Sequence, residues 1–444
     1  MTELSPLDAG FMEIENADRH ISLGIGAVAI IEGPAPTRES FRAGLDRGLE
    51  VHGRLRQRVH RSRFDLATPL WEDDPNFDLA HHVRWTSLPK PGDEQALREL
   101  VATELAEQFD RDHPLWDVVV VENLGGGRWA MIVRAHHSVV DGISGLALFE
   151  SFCDPGADGQ GARHEMRSRA GMFGTAAGAL RLLWTVPRIA ADAVRVLTPV
   201  IYAAVAPASD SSLNGPIGRQ RRYAVARTSL PQAREIAAAF EVTVNDVAVA
   251  AIAAAYRRLL QARGEKPTPD KLRMMVPVSM RADDAKYVPD NRVSAIIVQL
   301  PIEFEHPVER LNAVHERIAR HRLRGEAEAE KSLLELAEWL PYGVVAWVFR
   351  TASRFPQRGV GVLATNIPGP PHRLTLGGRK VLEIWPCIPI AMRVRTTVAV
   401  LSYTDQLTFG ITGDYDTNPD IDEIASGIAT EVAVLLAHAR GRPA

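Results

Sequence analysis

Cysteine is nearly absent: Cys153 and Cys387 are the only two in 444 residues. That excludes a disulfide framework and a cysteine-based zinc site, and it leads us to expect a reducing, cytoplasmic setting. Net charge is also small, −4, which leaves no electrostatic footprint for nucleic acid. No uncharged apolar run reaches the roughly 18–20 residues that a spanning helix needs. The opening residues, Met1-Thr2-Glu3-Leu4-Ser5-Pro6-Leu7-Asp8, lack the basic start and apolar core of a signal peptide, so integral membrane insertion is not expected. Lysine is scarce (Lys90, Lys266, Lys271, Lys286, Lys331 and Lys380) and the basic side chains are nearly all arginine, a bias that fits a GC-rich genome and says little about function. The Gly-x-Ser-x-Gly elbow of serine hydrolases, the His-Glu-x-x-His zinc helix and any repeat of fixed period are all missing.

What is present is a globular balance, 46% hydrophobic and 24% charged, in a chain too long for one ordinary core, so two domains are expected. The first 160 residues alternate strand-like and helix-like segments. Leu23 to Ile31 reads as a strand, and Arg38 to Val51 as a helix with Thr37 at its N-cap. Glu94 to Phe109 reads as a second helix. Val118–Val121 and Trp129–Ala135 flank Gly125-Gly126-Gly127 as a hairpin, and Ile143 to Phe152 follows as a helix. Residues 161–218 form an apolar, alanine-rich linker. Within it Leu180, Leu183, Trp184 and Ile189, with interspersed arginines, resemble an interfacial helix, and a linker packed across two domains would read the same way. Residues 219–444 form the second domain. Helices are expected near Leu230–Phe240, Asn245–Leu260, Pro307–Arg322 and Lys331–Phe349, and strands near Leu272–Ser279, Arg292–Leu300, Val360–Thr365, Thr397–Ser402 and Leu407–Thr412, with a closing helix.

The chemistry concentrates in His136-His137-Ser138-Val139-Val140-Asp141-Gly142, directly after the apolar run Trp129 to Val133. Imidazole titrates near working pH, so it can take a proton from an alcohol or thiol and return it in one cycle. Adjacent side chains on a strand point to opposite faces, so His136 and His137 cannot both address one site. His137, where the strand ends, has the better claim to a cavity. Asp141 can fix the turn through an arginine or a backbone amide, and Gly142 leaves room for a ligand. A second pair, His81-His82, sits in an expected strand and reads as structural.

These residues match the HHxxxDG signature of the CoA-dependent acyltransferase superfamily. Further segments resemble the bacterial wax ester synthase/diacylglycerol acyltransferases: Leu4-Ser5-Pro6-Leu7-Asp8-Ala9, Pro114-Leu115-Trp116, Asn245-Asp246, Pro277-Val278-Ser279-Met280-Arg281, Asn291 to Pro301, and Thr365-Asn366-Ile367-Pro368-Gly369-Pro370. The resemblance implies a mixed α/β fold of two chloramphenicol-acetyltransferase-like domains with an interdomain tunnel. It implies His137 as general base, His136 as structural or supportive, and Asp141 as structural and bound to an arginine. His52-Gly53-Arg54-Leu55-Arg56 loosely resembles a condensation-domain segment, making Arg56 the candidate partner. Asn245 is a candidate oxyanion donor. Asn245 and Asp246 following Thr243 could equally cap a helix, and Asn366 could line the tunnel or close a rigid turn. Asp290, Thr404-Asp405 and Arg393-Val394-Arg395 depart from the family pattern, away from the histidines.

The implied function is transfer of a fatty acyl group from acyl-CoA, as substrate rather than resident cofactor, to diacylglycerol or a long-chain alcohol, giving triacylglycerol or wax ester without an acyl-enzyme. The alternatives are a carrier-protein-dependent or polyketide-alcohol acyltransferase, or a non-catalytic lipid-binding protein of the same fold. No metal is implied. Peripheral contact with the inner membrane or with lipid inclusions is expected of the linker. Arg219-Gln220-Arg221-Arg222 reads as a solvated charge run or a contact for CoA phosphates.

Overall fold

A computed structural model of the chain describes residues 2–61, 68–140, 142–154, 211–279, 293–323, 342–343, 346, 350 and 359–441. The N-terminal half runs β1 (Thr2–Glu3), α1 (Pro6–Ala17), β2 (Gly24–Glu32), α2 (Arg38–Val51), β3 (Gln57–His60), β4 (Leu70–Asp73), α3 (Leu79–His82), β5 (Val83–Ser87), α4 (Glu94–Ala106), β6 (Trp116–Leu124), β7 (Arg128–His136) and α5 (Gly142–Phe152). The C-terminal half runs β8 (Arg221–Ser229), α6 (Leu230–Phe240), α7 (Val244–Ala262), β9 (Arg273–Ser279), β10 (Val293–Gln299), α8 (Pro307–Leu323), β11 (Val362–Pro368), β12 (Thr375–Leu376), β13 (Arg379–Cys387), β14 (Thr396–Tyr403), β15 (Gln406–Asp414) and α9 (Ile421–Arg440). Residues 161–210 of the 161–218 linker, the expected helix at 331–349 except for Tyr342, Gly343 and Ala346, and Asp141 lie outside the described residues.

Two six-stranded mixed sheets, β12-β13-β2-β7-β6-β5 and β10-β9-β11-β14-β15-β8, organise the molecule. A small sheet, β1-β4-β3, lies at the N-terminus. β7 is central in the first sheet and buried along nearly its whole length. Its residues alternate as a period of two requires. Trp129, Met131, Val133 and Ala135 join a cluster with α2 and α5, while Ala130 and Ile132 join another with α4, Tyr223 of β8 and Trp385 of β13. Both faces are covered, which is why the strand reads as a continuous apolar run. In the C-terminal half α6, α7, α8 and α9 bury their apolar faces in one cluster with β9, β11, β14 and β15. No single helix among the described residues is long and apolar enough to cross a membrane; α6 and α7, meeting at 100°, pass that test only as a bent pair.

The helices begin where side chains satisfy the first free N–H groups. Thr37 caps α2, Asp93 caps α4, and Thr243 with Asp246 forms a reciprocal capping box on α7. One expectation is corrected: His81-His82 ends the short helix α3, not a strand, because the Asp78 carboxylate accepts from Ala80 N–H at 2.8 Å and starts a turn. The partition at 218/219 also proves incomplete. β13, from the C-terminal half, inserts beside β2 in the N-terminal sheet, with Trp385 opposite Val28 and Cys387 opposite Gly26. A bulge between Val381 and Glu383 and Pro386 near its end break the alternation that marks a strand. The Tyr403 hydroxyl donates to the Val381 carbonyl and accepts from Leu374 N–H, and the Tyr223 hydroxyl donates to the Pro386 carbonyl. β13 is therefore bonded to both halves.

Candidate active site

The histidine motif lies where β7 stops. His136 is the last strand residue, paired opposite Gly24, and is fully buried. The chain then turns: Val139 N–H donates to the His136 carbonyl at 2.8 Å, and His137 N–H donates to the Leu23 carbonyl at 3.0 Å. His137 thus follows the strand's last residue, and the two rings have different surroundings. His136 is held on its δ side by Ser138, whose N–H donates to Nδ1 at 3.1 Å and whose Oγ lies 2.7 Å from the same atom. A nitrogen that accepts N–H carries its lone pair there, so neutral His136 holds its proton on Nε2. That Nε2 lies 3.5 Å from Glu15 Oε2. His136 is thus a buried group with close partners, and His137 is only partly buried, with its ring beside that of Phe11.

Glu15 was not singled out in the sequence. It is delivered by α1, which Ser5 caps by accepting from Asp8 N–H at 3.1 Å, with proline in the first turn. Its Oε1 accepts from Leu23 N–H at 2.9 Å and its Oε2 pairs with Arg111. Burial alone would raise this carboxyl. The His136 ring, the Arg111 guanidinium and the Leu23 N–H outweigh burial and pull it down to about 2. The neighbouring Glu13, also fully buried, is held by Arg61, Arg350 and the Tyr342 hydroxyl. The available signal was two glutamates alternating with apolar residues, Met12-Glu13-Ile14-Glu15, since buried carboxylates need partners.

Asn245 and Asn366, far apart in sequence, are brought together: Asn366 Nδ2 donates to Asn245 Oδ1 at 3.0 Å. Asn245 opens α7 and Asn366 lies near the end of β11, the strand against which α5 packs. Asp246 goes elsewhere. Its Oδ2 accepts from Thr243 N–H at 2.9 Å and bonds His315 Nδ1 at 2.9 Å, and the group is buried. Of the two readings of Asp246, the helix cap is the one its contacts fill. Arg56 lies with its guanidinium 5.2 Å from the centre of the Phe77 ring. Phe77 stacks on His82, and His82 on Trp116 at 4.5 Å and 10°. Asp141, the residue expected to meet Arg56, lies outside the described residues, and Gly142 opens α5. Arg221 is buried and donates to the carbonyls of Gly218, Arg219, Gln220 and His20; Arg219 pairs with Glu107. Those two guanidiniums are engaged by the protein itself.

Residues 4–248 match the family model for the wax ester synthase/diacylglycerol acyltransferase catalytic domain, and residues 290–435 match that for the WS/DGAT C-terminal domain. A probable diacylglycerol O-acyltransferase of Mycobacterium tuberculosis H37Rv is 42% identical over 451 residues, covering 100% of this chain and 97% of its own. A second putative diacylglycerol O-acyltransferase from the same strain is 35% identical over 438 residues, covering 98% and 91%. Among solved structures, the wax ester synthase/diacylglycerol acyltransferase from Marinobacter aquaeolei VT8 aligns with a TM-score of 0.71 at 26% identity, covering 99% of this chain and 100% of that one. The first condensation domain of the CDA synthetase aligns with a TM-score of 0.62 at 16% identity, covering 98% and 96%, a likeness of fold.

Proposed function

The chain belongs to the wax ester synthase/diacylglycerol acyltransferase family, and from that premise we propose that it moves a fatty acyl group from acyl-CoA to the hydroxyl of diacylglycerol or a long-chain alcohol. The observation that carries the assignment of roles is the difference between the two rings at the end of β7: His136 is buried beside Ser138 and Glu15, and His137 is only partly buried. His137 removes the acceptor's hydroxyl proton, and the oxygen attacks the thioester carbonyl. The tetrahedral oxyanion requires donors at about 3 Å. Asn245 suits that role, because Asn366 donates to its Oδ1 and its Nδ2 carries two N–H donors. As the carbon–sulfur bond breaks, protonated His137 returns its proton to the CoA sulfur. The acyl group passes directly between substrates, with acyl-CoA as co-substrate and no resident cofactor or metal.

Asp141 is assigned a structural role in the turn, and Gly142 the space beside it. Both substrates are apolar, and the leucine-, tryptophan- and arginine-bearing linker of residues 161–218 suits contact with a lipid surface that supplies them. The test is CoA release from labelled palmitoyl-CoA with dioleoylglycerol or hexadecanol as acceptor. Wild-type protein should turn over, and His137→Ala, with an unchanged melting temperature, should not. Equal CoA release by the two proteins would end this reading.

A further inference from the structure

α1 does more than deliver Glu15. Three of its side chains reach three successive residues of the motif. Glu15 Oε2 lies 3.5 Å from His136 Nε2, the Phe11 ring centre lies 4.3 Å from that of His137, and Met12 Sδ lies 3.7 Å from Ser138 Oγ. Positions 11, 12 and 15 share one helix face. Glu15 and Met12 are enclosed, and their contacts fix the supporting residues. Phe11 differs: it is only partly buried, packed against the cluster of Ile14, Ile21, Leu23, Ile217 and Ile390, with the His137 ring beside it.

We propose that Phe11 is a positioning residue for the acyl transfer, acting through His137; the inference rests on His137 as the general base. The backbone of His137 is pinned by its N–H bond to the Leu23 carbonyl, so reaching an acceptor hydroxyl depends on how its ring is oriented. A phenyl ring at 4.3 Å and a 33° tilt limits that orientation from one side. It also acts unequally along the reaction. His137 is neutral before proton removal and cationic after it, and an aromatic face attracts a cation more strongly than a neutral ring. An interaction that strengthens as charge develops raises kcat and leaves substrate affinity nearly unchanged. The ionisable groups on the surrounding elements are Asp8, Glu13 and Glu15 of α1, Arg111 before β6, and His136 beside it. Glu13 and Glu15 are already paired with arginines.

The experiment compares Phe11→Leu, Phe11→Tyr, His137→Ala and the Phe11→Leu/His137→Ala double variant in the palmitoyl-CoA assay. Leucine keeps an apolar side chain and loses the ring; tyrosine keeps the ring. Phe11→Leu should lower kcat by about threefold to tenfold, with both KM values within about twofold and an unchanged melting temperature. Phe11→Tyr should restore most of the turnover. In the His137→Ala background, adding Phe11→Leu should change the residual rate no further. If leucine does not fold, Phe11→Met replaces it with the same expectation. An unaltered kcat in Phe11→Leu, a rise in KM alone, failure of tyrosine to rescue, or additive losses in the double variant would each overturn the proposal. Loss of activity in His137→Ala with wild-type turnover in Phe11→Leu overturns the Phe11 role alone. Full activity in His137→Ala overturns the base assignment and the Phe11 role together.

Discussion

Glu15→Gln is the sharpest probe of how the histidine motif is held. The native carboxyl is pulled from 4.5 to about 2 while 1% of its side chain is exposed. A group whose folded value is depressed binds fewer protons folded than unfolded below pH 4.5, so its contribution is complete above pH 4.5 and disappears as pH falls toward 2. The gap corresponds to about 3 kcal/mol in full, of which about 2 kcal/mol is gone by pH 3. Glutamine still accepts from Leu23 N–H but cannot neutralise Arg111, and breaking one partner of a buried pair costs on the order of 3–5 kcal/mol. The assay is urea unfolding of both proteins from pH 7 to pH 3. Wild type should be more stable at pH 7 by about 3 kcal/mol, and the difference should shrink by about 2 kcal/mol on reaching pH 3, because glutamine has no proton to take up. A difference that stays constant across that range would refute the claim that an ionised Glu15 anchors His136.

Other perturbations test the frame around the site. A Cβ on Gly410 would stand 1.8 Å from the Pro386 carbonyl oxygen and 2.6 Å from the Tyr223 hydroxyl. Gly410→Ala should therefore cost about 4 kcal/mol or more, read as loss of soluble protein or a collapsed melting temperature; wild-type stability would contradict the close crossing of β13 over β15. His82 lies stacked between Phe77 and Trp116, and burial holds its imidazole below 6.5, against a supporting bond to the Trp116 carbonyl. The folded state thus binds fewer protons, and stability should fall as pH drops below 6.5. His82→Phe should show a shallower decline in melting temperature between pH 8 and 5, and equal slopes would refute the assignment.

Much of this was legible in the sequence. Covered strands and capped helices announce themselves, so α2, β7 and α6 fall close to where the sequence places them, and the expected closing helix is α9. The end of β7 beside the histidine pair was legible too: His136 closes the strand and His137 follows it. What was illegible depends on distant partners. α1 looks unpromising because two glutamates interrupt its apolar face, and only Arg61, Arg111 and Arg350 make them tolerable inside. The pairing of Asn245 with Asn366 spans two elements that no local pattern connects. Asp246 was legible in both of its readings, and its partners, Thr243 and His315, fall on the helix-cap side. β13 hides behind its bulge and its proline.

That strand also has a consequence for anyone recombining these proteins. Because residues 379–387 lie hydrogen-bonded between β12 and β2, swapping C-terminal halves between relatives silently exchanges a rib of the recipient's N-terminal sheet. A graft that respects the fold must leave that rib, together with Tyr223, Tyr403 and Gly410 that clasp it, with a single parent.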